Sequence, residues 1–377
     1  MCLKHGTGRK AQLSRRKKVN SILMVNHHTE VVGGGELSML QLMDGLRAKG
    51  ESVVLITSGP GELAKQAEEK GHRVYMAPMP PIGLASIKAF KQWKALLKEI
   101  GGSLLHAQTP RAAFYAGVAG KRASLPSVFH CRVAARDWKL DPILVRLVSC
   151  VVCNSRATAA RFEAWPWLKP KVILNGLDVQ IAGIDKRNTH KKNLLFVGRF
   201  SEEKQPEIVW QVFSRLAEKF PNLALHFVGD ADPLNPSLIS NLKQLIASSP
   251  YHARVHWAGP QQDVSPWYGL ADIVIMPSKY EGFGRVLVES MAHRVPVVAF
   301  RVGGIPEVLE DGRQGVLIEP YDVDALCGAV EELLDSDAKR AQMGEAGAAR
   351  AEKFSLEAHV NAVLAHYSVI CGDNVEH

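Results

Sequence analysis

Glu281 and Glu289 stand eight residues apart in the stretch EGFGRVLVE, with Gly282 and Gly284 between them. The stretch follows the apolar run Ile273–Pro277 and opens a helical pattern, so it marks a strand handing over to a helix. With Gly284 at the helix start, Gly282 and Gly284 let backbone N–H groups approach an anion, and the helix N-terminus adds partial positive charge. A phosphate suits that junction. The carboxylates are poor phosphate ligands and good acceptors for sugar hydroxyls. Eight helical residues span about 12 Å, enough to put them on either side of a diphosphate. Upstream, VGRFSEEK places Arg199 and Lys204 around a turn that follows another strand. Together they can neutralise a diphosphate without metal, Arg through its planar fork and Lys as a point charge. Either cation alone reads as a solvated surface charge; beside EGFGRVLVE the pair points to a diphosphate.

The elements that must position these residues alternate regularly. The first half reads as strand Ser21–Asn26, glycine loop Gly33–Gly35, helix Glu36–Lys49, then strands at Ser52–Thr57, His72–Met76, Leu104–Ala107, Ser127–Cys131, Cys150–Asn154 and Lys171–Leu174 with helical patterns between them. After a polar stretch the alternation restarts at Leu194–Gly198 and continues to Phe300 and beyond. Short apolar strands alternating with helices specify parallel sheets covered on both faces. The expected organisation is a basic arm (1–18), an N-terminal doubly wound domain (19–180), a linker (181–193), a C-terminal doubly wound domain (194–355) and a closing helical segment (356–377). Two such domains leave a cleft lined by the carboxyl ends of both sheets, where open α/β sheets bind ligands.

Composition narrows the classes. The chain has 377 residues, 46% hydrophobic and 22% charged, as soluble globular proteins do, which excludes disorder as the main theme. No apolar run reaches the roughly 18 residues of a membrane span, and the first 20 residues are too basic and broken for a signal-peptide core, so a cytoplasmic location is expected. Six cysteines (Cys2, Cys131, Cys150, Cys153, Cys327, Cys371) fit reduced thiols. The net charge of +8 divides unevenly: residues 1–185 hold 27 Lys and Arg against 13 Asp and Glu, and residues 186–377 hold 19 against 25. The first half therefore faces something anionic.

Taken in order, VGGGE (32–36), GRFSEEK (198–204), VGD (228–230), the two glutamates of E-x7-E (281–289), VGGIPEV (302–308), G-x-L-x-x-P (315–320) and a helical stretch after KFS (353–355) resemble the retaining GT-B glycosyltransferases of the GT4 type, the glycosyl transferases group 1 family. The resemblance implies a GT-B fold of two Rossmann-like domains facing a central cleft, with the last segment crossing back to the first domain. It implies sugar transfer with retention from a nucleotide-diphosphate donor, a UDP- or GDP-sugar, to an acceptor hydroxyl, with no metal and no cofactor. In that reading Glu281 binds hydroxyls of the donor sugar and Glu289 those of the ribose, while Arg199 and Lys204 bind the diphosphate. Gly33, Gly34 and Gly35 bring the first domain against donor and acceptor, and Gly282, Phe283, Gly284 and Arg285 belong to the donor site. His130, ending the strand SVFHC on the cleft side, matches a sugar-contacting histidine of the family. The stretch that follows, CRVAARDW, is basic until Asp137, where the family often has acidic residues.

Other features are set aside. Asp230 and Asp232 have the D-x-D spacing of a metal site but follow a glycine at a strand end. Cys150 and Cys153 have C-x-x-C spacing but lie in an apolar strand without a second pair. GGGE lacks the G-x-G-x-x-G pattern of dinucleotide binding. No nucleic-acid module is present. Lys88, Lys91, Lys94 and Lys98 on the pattern Ile87–Ile100, with the basic arm, suit a peripheral position on an anionic membrane surface and a glycan or lipid-linked acceptor, as in synthesis of a cell-envelope lipopolysaccharide or polysaccharide. A nucleotide-sugar epimerase or hydrolase of the same fold, or an inactive sugar-nucleotide-binding protein, are the alternatives.

Overall fold

The computed structural model describes residues 21–31, 33–178, 180–182 and 191–372. The basic arm and most of the linker expected from the sequence lie outside them. Thirteen strands among these residues form two parallel sheets. In the first, β1 (Ile22–Val25), β2 (Val53–Thr57), β3 (Arg73–Met76), β4 (Leu104–Ala107), β5 (Ser127–Cys131), β6 (Cys150–Cys153) and β7 (Lys171–Val172) take the order 3-2-1-4-5-6-7. In the second, β8 (Lys192–Val197), β9 (Leu223–Val228), β10 (Val255–Gly259), β11 (Ile273–Met276), β12 (Val297–Phe300) and β13 (Gly315–Ile318) take the order 10-9-8-11-12-13. Both are doubly wound, as the alternation predicts. Strand order reverses between β1 and β4 and again between β8 and β11, and each reversal opens a crevice at the carboxyl ends of its strands.

The central strands β1, β11 and β12 are apolar throughout because helices cover both faces. On β1, Leu23 and Val25 enter one core, with Trp93 and Tyr115, while Ile22 and Met24 enter the opposite one, with Met39 and Met43. The same alternation separates Cys150, which faces His366 at 3.5 Å, from Cys153 in the core on the other face. Two cysteines three apart on a strand point to opposite faces, so they share no ligand.

Helix Leu356–Ile370 lies on the first sheet although it follows the second. Val360, Val363 and Tyr367 are buried in the core with Ile22, Met24, Met43 and Leu46. Tyr367 meets the ring of His106 on β4 through its hydroxyl. A Cβ on Gly45, in helix Gly34–Ala48, would lie 2.5 Å from a Val360 methyl, so the two helices approach over a glycine. The chain runs beside itself on the way: Leu177 donates to Phe354 O at 2.9 Å and accepts from Leu356 N at 3.0 Å.

Candidate active site

The loop after β11 carries Glu281–Gly284 into the β8/β11 crevice, and the turn after β8 carries Lys204 to it. Lys279 N donates to Glu203 O at 2.8 Å, stitching the two loops together. Lys204 Nζ and a Glu281 carboxylate oxygen form an ion pair between residues far apart in sequence, with the side chains 27% and 16% exposed. From below, the loop after β12 supports this arrangement. A Cβ on Gly303 would sit 2.0 Å from Glu281 O and one on Gly304 2.1 Å from Gly282 O, while Gly304 N donates to Glu281 O at 2.8 Å. Only glycines fit under that backbone. Gly284, at φ 82°, precedes helix Arg285–Ala292, a left-handed conformation that favours glycine.

Glu289 lies one turn into the helix. One carboxylate oxygen accepts from the Tyr268 hydroxyl at 3.0 Å and the other lies 3.4 Å from Arg285 Nη2. Burial and the adjacent Glu289 charge push the Tyr268 hydroxyl pKa far up, so it stays a donor. Arg285 spans the cleft: its other terminal nitrogen donates to Ser38 Oγ at 3.0 Å and Gln41 Oε1 at 2.9 Å, both on helix Gly34–Ala48. Phe283 is 2% exposed and packs edge-on against Phe354 at 5.7 Å. Its side chain anchors the loop in the core, so only its backbone is available to a donor.

On the other wall is the loop after β1. Gly33 N donates to Glu36 Oε2 at 3.1 Å, and the other Glu36 oxygen accepts from Asn26 Nδ2 at 3.4 Å. The three glycines meet three arginines: a Cβ on Gly33 would lie 2.9 Å from Arg199 Nη2, one on Gly34 2.9 Å from Arg285 Cδ, and one on Gly35 3.7 Å from Arg132 Cδ. The glycine loop, Arg199, Arg285, Lys204, Glu281 and Glu289 are thus brought to one cleft.

His130 is placed differently. The sequence reading put it on the cleft side of its strand end, but the ring is fully buried, because β5 turns Val128 and His130 toward the face that the last helix covers. It stacks on His106 with centroids 5.2 Å apart and lies 6.2 Å from His359. Burial, then Arg132, His106 and His359, hold its pKa well below the ordinary histidine value, so the ring is neutral. Arg132 Nη2 is 3.4 Å from His130 Nδ1. Arg132 itself was not singled out by its sequence position; the basic stretch after His130 was its one signal. Burial, with the Arg285 guanidinium, brings the Arg132 pKa down to about 10 against an upward pull from Glu36. Asp230 and Asp232 accept backbone N–H groups of Ala231 and Leu234 within a turn.

Two doubly wound sheets meeting at a cleft lined by their carboxyl ends, with this ion pair and glycine-backed helix start, define a GT-B architecture. The chain matches Glycosyl transferases group 1 over residues 181–350 and Glycosyltransferase Family 4 over residues 32–181, so each of its halves matches a glycosyltransferase family. The D-inositol 3-phosphate glycosyltransferase of Corynebacterium aurimucosum is 36% identical over 173 residues, 45% of this chain and 41% of that protein. Its namesake in Thermobifida fusca is 34% identical over 181 residues, 46% of this chain and 42% of that protein. The chain thus spans about two fifths of the length of these curated relatives. Among solved structures, Anabaena HepE in complex with UDP and glucose has a TM-score of 0.81 at 22% identity, covering 93% of this chain and 99% of that one. A glycosyltransferase from Rickettsia africae has a TM-score of 0.83 at 20% identity, covering 95% and 100%. At such identities the likeness shows the fold.

Proposed function

We propose that this protein is a retaining glycosyltransferase that moves a sugar from a nucleotide diphosphate, UDP or GDP, to an acceptor hydroxyl without metal. The observation that carries the reading is the Lys204–Glu281 pair beside the glycine-backed start of helix Arg285–Ala292. When donor binds, its diphosphate takes Lys204 and Arg199, the sugar hydroxyls donate to Glu281, and the ribose hydroxyls donate to Glu289. As the acceptor oxygen bonds to the anomeric carbon, the bond from that carbon to the diphosphate breaks. The electron pair leaves with the diphosphate, whose oxygen accepts the acceptor's proton. Charge that appears on the leaving group in the transition state meets cations already in place, which is where such groups contribute most to rate.

The experiment is a thermal-shift screen against UDP, GDP, ADP and their sugar conjugates, since a ligand of the folded state raises its melting temperature. One nucleotide raises it, Lys204→Ala abolishes the rise, and Glu281→Ala lowers turnover of the matching sugar conjugate on the order of 100-fold or more while the variant still melts cooperatively. Normal turnover by Glu281→Ala would refute the site.

The acceptor side carries a second expectation, a peripheral position on the inner face of a membrane with a glycan or lipid-linked acceptor. Leu84 is 89% exposed and Ile87 65%, next to the exposed Lys88 and Lys91 of helix Ala85–Ile100, whose Trp93 is fully buried. Apolar tips beside lysines suit anionic headgroups. The chain floats with anionic vesicles at low salt, and Leu84→Asp with Ile87→Asp abolishes flotation; wild type remaining at the bottom of the gradient refutes this position.

A further inference from the structure

Arg285 opens the second-domain helix that carries Glu289, yet most of its hydrogen bonds cross to the first domain. Nη1 donates to Ser38 Oγ at 3.0 Å and to Gln41 Oε1 at 2.9 Å, and so spends both its hydrogens on helix Gly34–Ala48. Nη2 lies 3.4 Å from Glu289 Oε1. The stem of the side chain lies over the glycine loop, where a Cβ on Gly34 would come within 2.9 Å of Arg285 Cδ. Gly34, Ser38 and Gln41 stand at i, i+4 and i+7, one stripe of that helix, and the arginine lies along it. A planar fork with two nitrogens can serve two domains at once, which a single ammonium does less well.

An Arg and a Glu four residues apart on a helix ordinarily support no more than the helix itself. Here both side chains are only 15% exposed, so the pair stands in the cleft and not on a solvated face. Among the described residues, Arg285 is the one hydrogen-bond partner of Ser38 Oγ and of Gln41 Oε1. Helix Gly34–Ala48 is held in the first domain by other residues, Met39, Leu40, Leu42 and Met43, so Ser38 and Gln41 are not needed for its packing. The second Glu289 oxygen accepts from the Tyr268 hydroxyl at 3.0 Å. The carboxylate is therefore oriented from two directions, from its own domain by Tyr268 and from the first domain by way of Arg285.

We propose that Arg285 is a positioning residue through which the first domain takes part in nucleotide recognition. Held by Ser38 and Gln41, its guanidinium sets the Glu289 carboxylate for the ribose hydroxyls, so the ribose site is complete only while the two domains are in contact there. The inference rests on the second-sheet site being the donor site, with Glu289 at the ribose. It gives Ser38 and Gln41, which lie in the other domain, an effect on nucleotide affinity that depends on the ribose.

Its test is calorimetric titration of the full chain with UDP and GDP and with their 2′-deoxy forms, which offer Glu289 one hydroxyl fewer. For the nucleotide that binds, Arg285→Leu weakens affinity about 10-fold or more, and Ser38→Ala combined with Gln41→Leu weakens it about 3- to 10-fold. All three substitutions together cost no more than Arg285→Leu alone, because they remove one connection. With the 2′-deoxy form, the loss caused by the Ser38 and Gln41 substitutions is smaller. Should Arg285→Leu fail to melt cooperatively, the Ser38 and Gln41 variant, whose helix keeps its core residues, carries the comparison between the two nucleotides. The proposal is overturned when that variant binds the nucleotide as the wild type does, or when the losses multiply in the combined variant. It is overturned equally when the 2′-deoxy form suffers the same loss, which would make Arg285 a tie between domains with no part in reading the ribose. A wild type that binds neither UDP nor GDP would instead strike at the donor reading.

Discussion

At the scale of single residues, the candidate site is a set of charges each held by a specific partner. Glu289 shows what that holding does. In the proposed reading Glu289 accepts two ribose hydroxyls and must keep one orientation, and the Tyr268 hydroxyl, 1% exposed side chain and all, fixes one of its oxygens at 3.0 Å. Tyr268→Phe keeps the packing and removes that bond. Its expected effect is a donor KM raised about 3- to 10-fold with kcat changed less, read from initial rates, because the bond is present before and after the chemistry. An unchanged KM would mean that Tyr268 only fills space. Spacing along a strand-to-helix junction fixes where side chains can reach, so the sequence sets Glu281, Gly284 and Glu289 after one strand and Arg199 and Lys204 after another, and the structure brings the two segments together. Tyr268 and Arg132 were not legible in it, since their partners come from other strands, and one residue of register on β5 decides whether His130 meets the cleft or the core. Phe283 illustrates the same limit: its place in the motif says nothing about which way its ring turns.

At the scale of elements, the parallel strands could be read directly, because a strand covered on both faces is an uninterrupted apolar run. Edges were harder. β7 keeps only Lys171–Val172 of the expected Lys171–Leu174; Ile173 N still donates to Cys153 O of β6 at 2.9 Å before the chain turns toward the second sheet. Helix Gly34–Ala48 starts inside the glycine loop, two residues earlier than its apolar periodicity indicates. What periodicity could not give is which helix lies on which, and the contact between helices Gly34–Ala48 and Leu356–Ile370 rests on one missing side chain. Gly45→Val puts a β-branched group where a Val360 methyl already stands at 2.5 Å from the Cβ position. The expected loss is about 1–3 kcal/mol in urea denaturation, the usual range for overpacking. Val360→Ala in that background should recover part of it; equal stability of Gly45→Val and wild type would show that the helices separate freely.

At the scale of the whole molecule, the two sheets are joined through more than the linker. Arg285 reaches Ser38 and Gln41, and Glu307, after β12, caps helix Arg156–Ala159 by accepting from Arg156 N at 2.9 Å and Ala157 N at 3.0 Å. The last helix adds a pH dependence. His359, from that helix, meets His130, which stacks on His106, beside Arg132, and burial, with Arg132 next, lowers its pKa to about 4; His106 and His130 are lowered well below 6.5. The unfolded chain binds protons on all three near 6.5, so their contribution to stability is full above that pH and is lost as pH falls from about 6.5 toward 4. Each histidine contributes a slope of up to about 1.4 kcal/mol per pH unit. Denaturation at pH 7.5 and pH 5 should differ accordingly, and His359→Phe should flatten the difference; a wild type equally stable at both would contradict the neutral cluster.

The covering of β1 by Val360, Val363 and Tyr367 also sets an order of events during synthesis. Ile22 and Met24 leave the ribosome more than 300 residues ahead of the side chains of Val360, Val363 and Tyr367, which close their face of the sheet. The second sheet has its strands by residue 318 and its cores by Phe354, so it can be finished while the first still lacks Val360, Val363 and Tyr367. Until Tyr367 has emerged, the sheet made earlier is the one that stays incomplete, and it is there that a nascent chain would need a chaperone's cover.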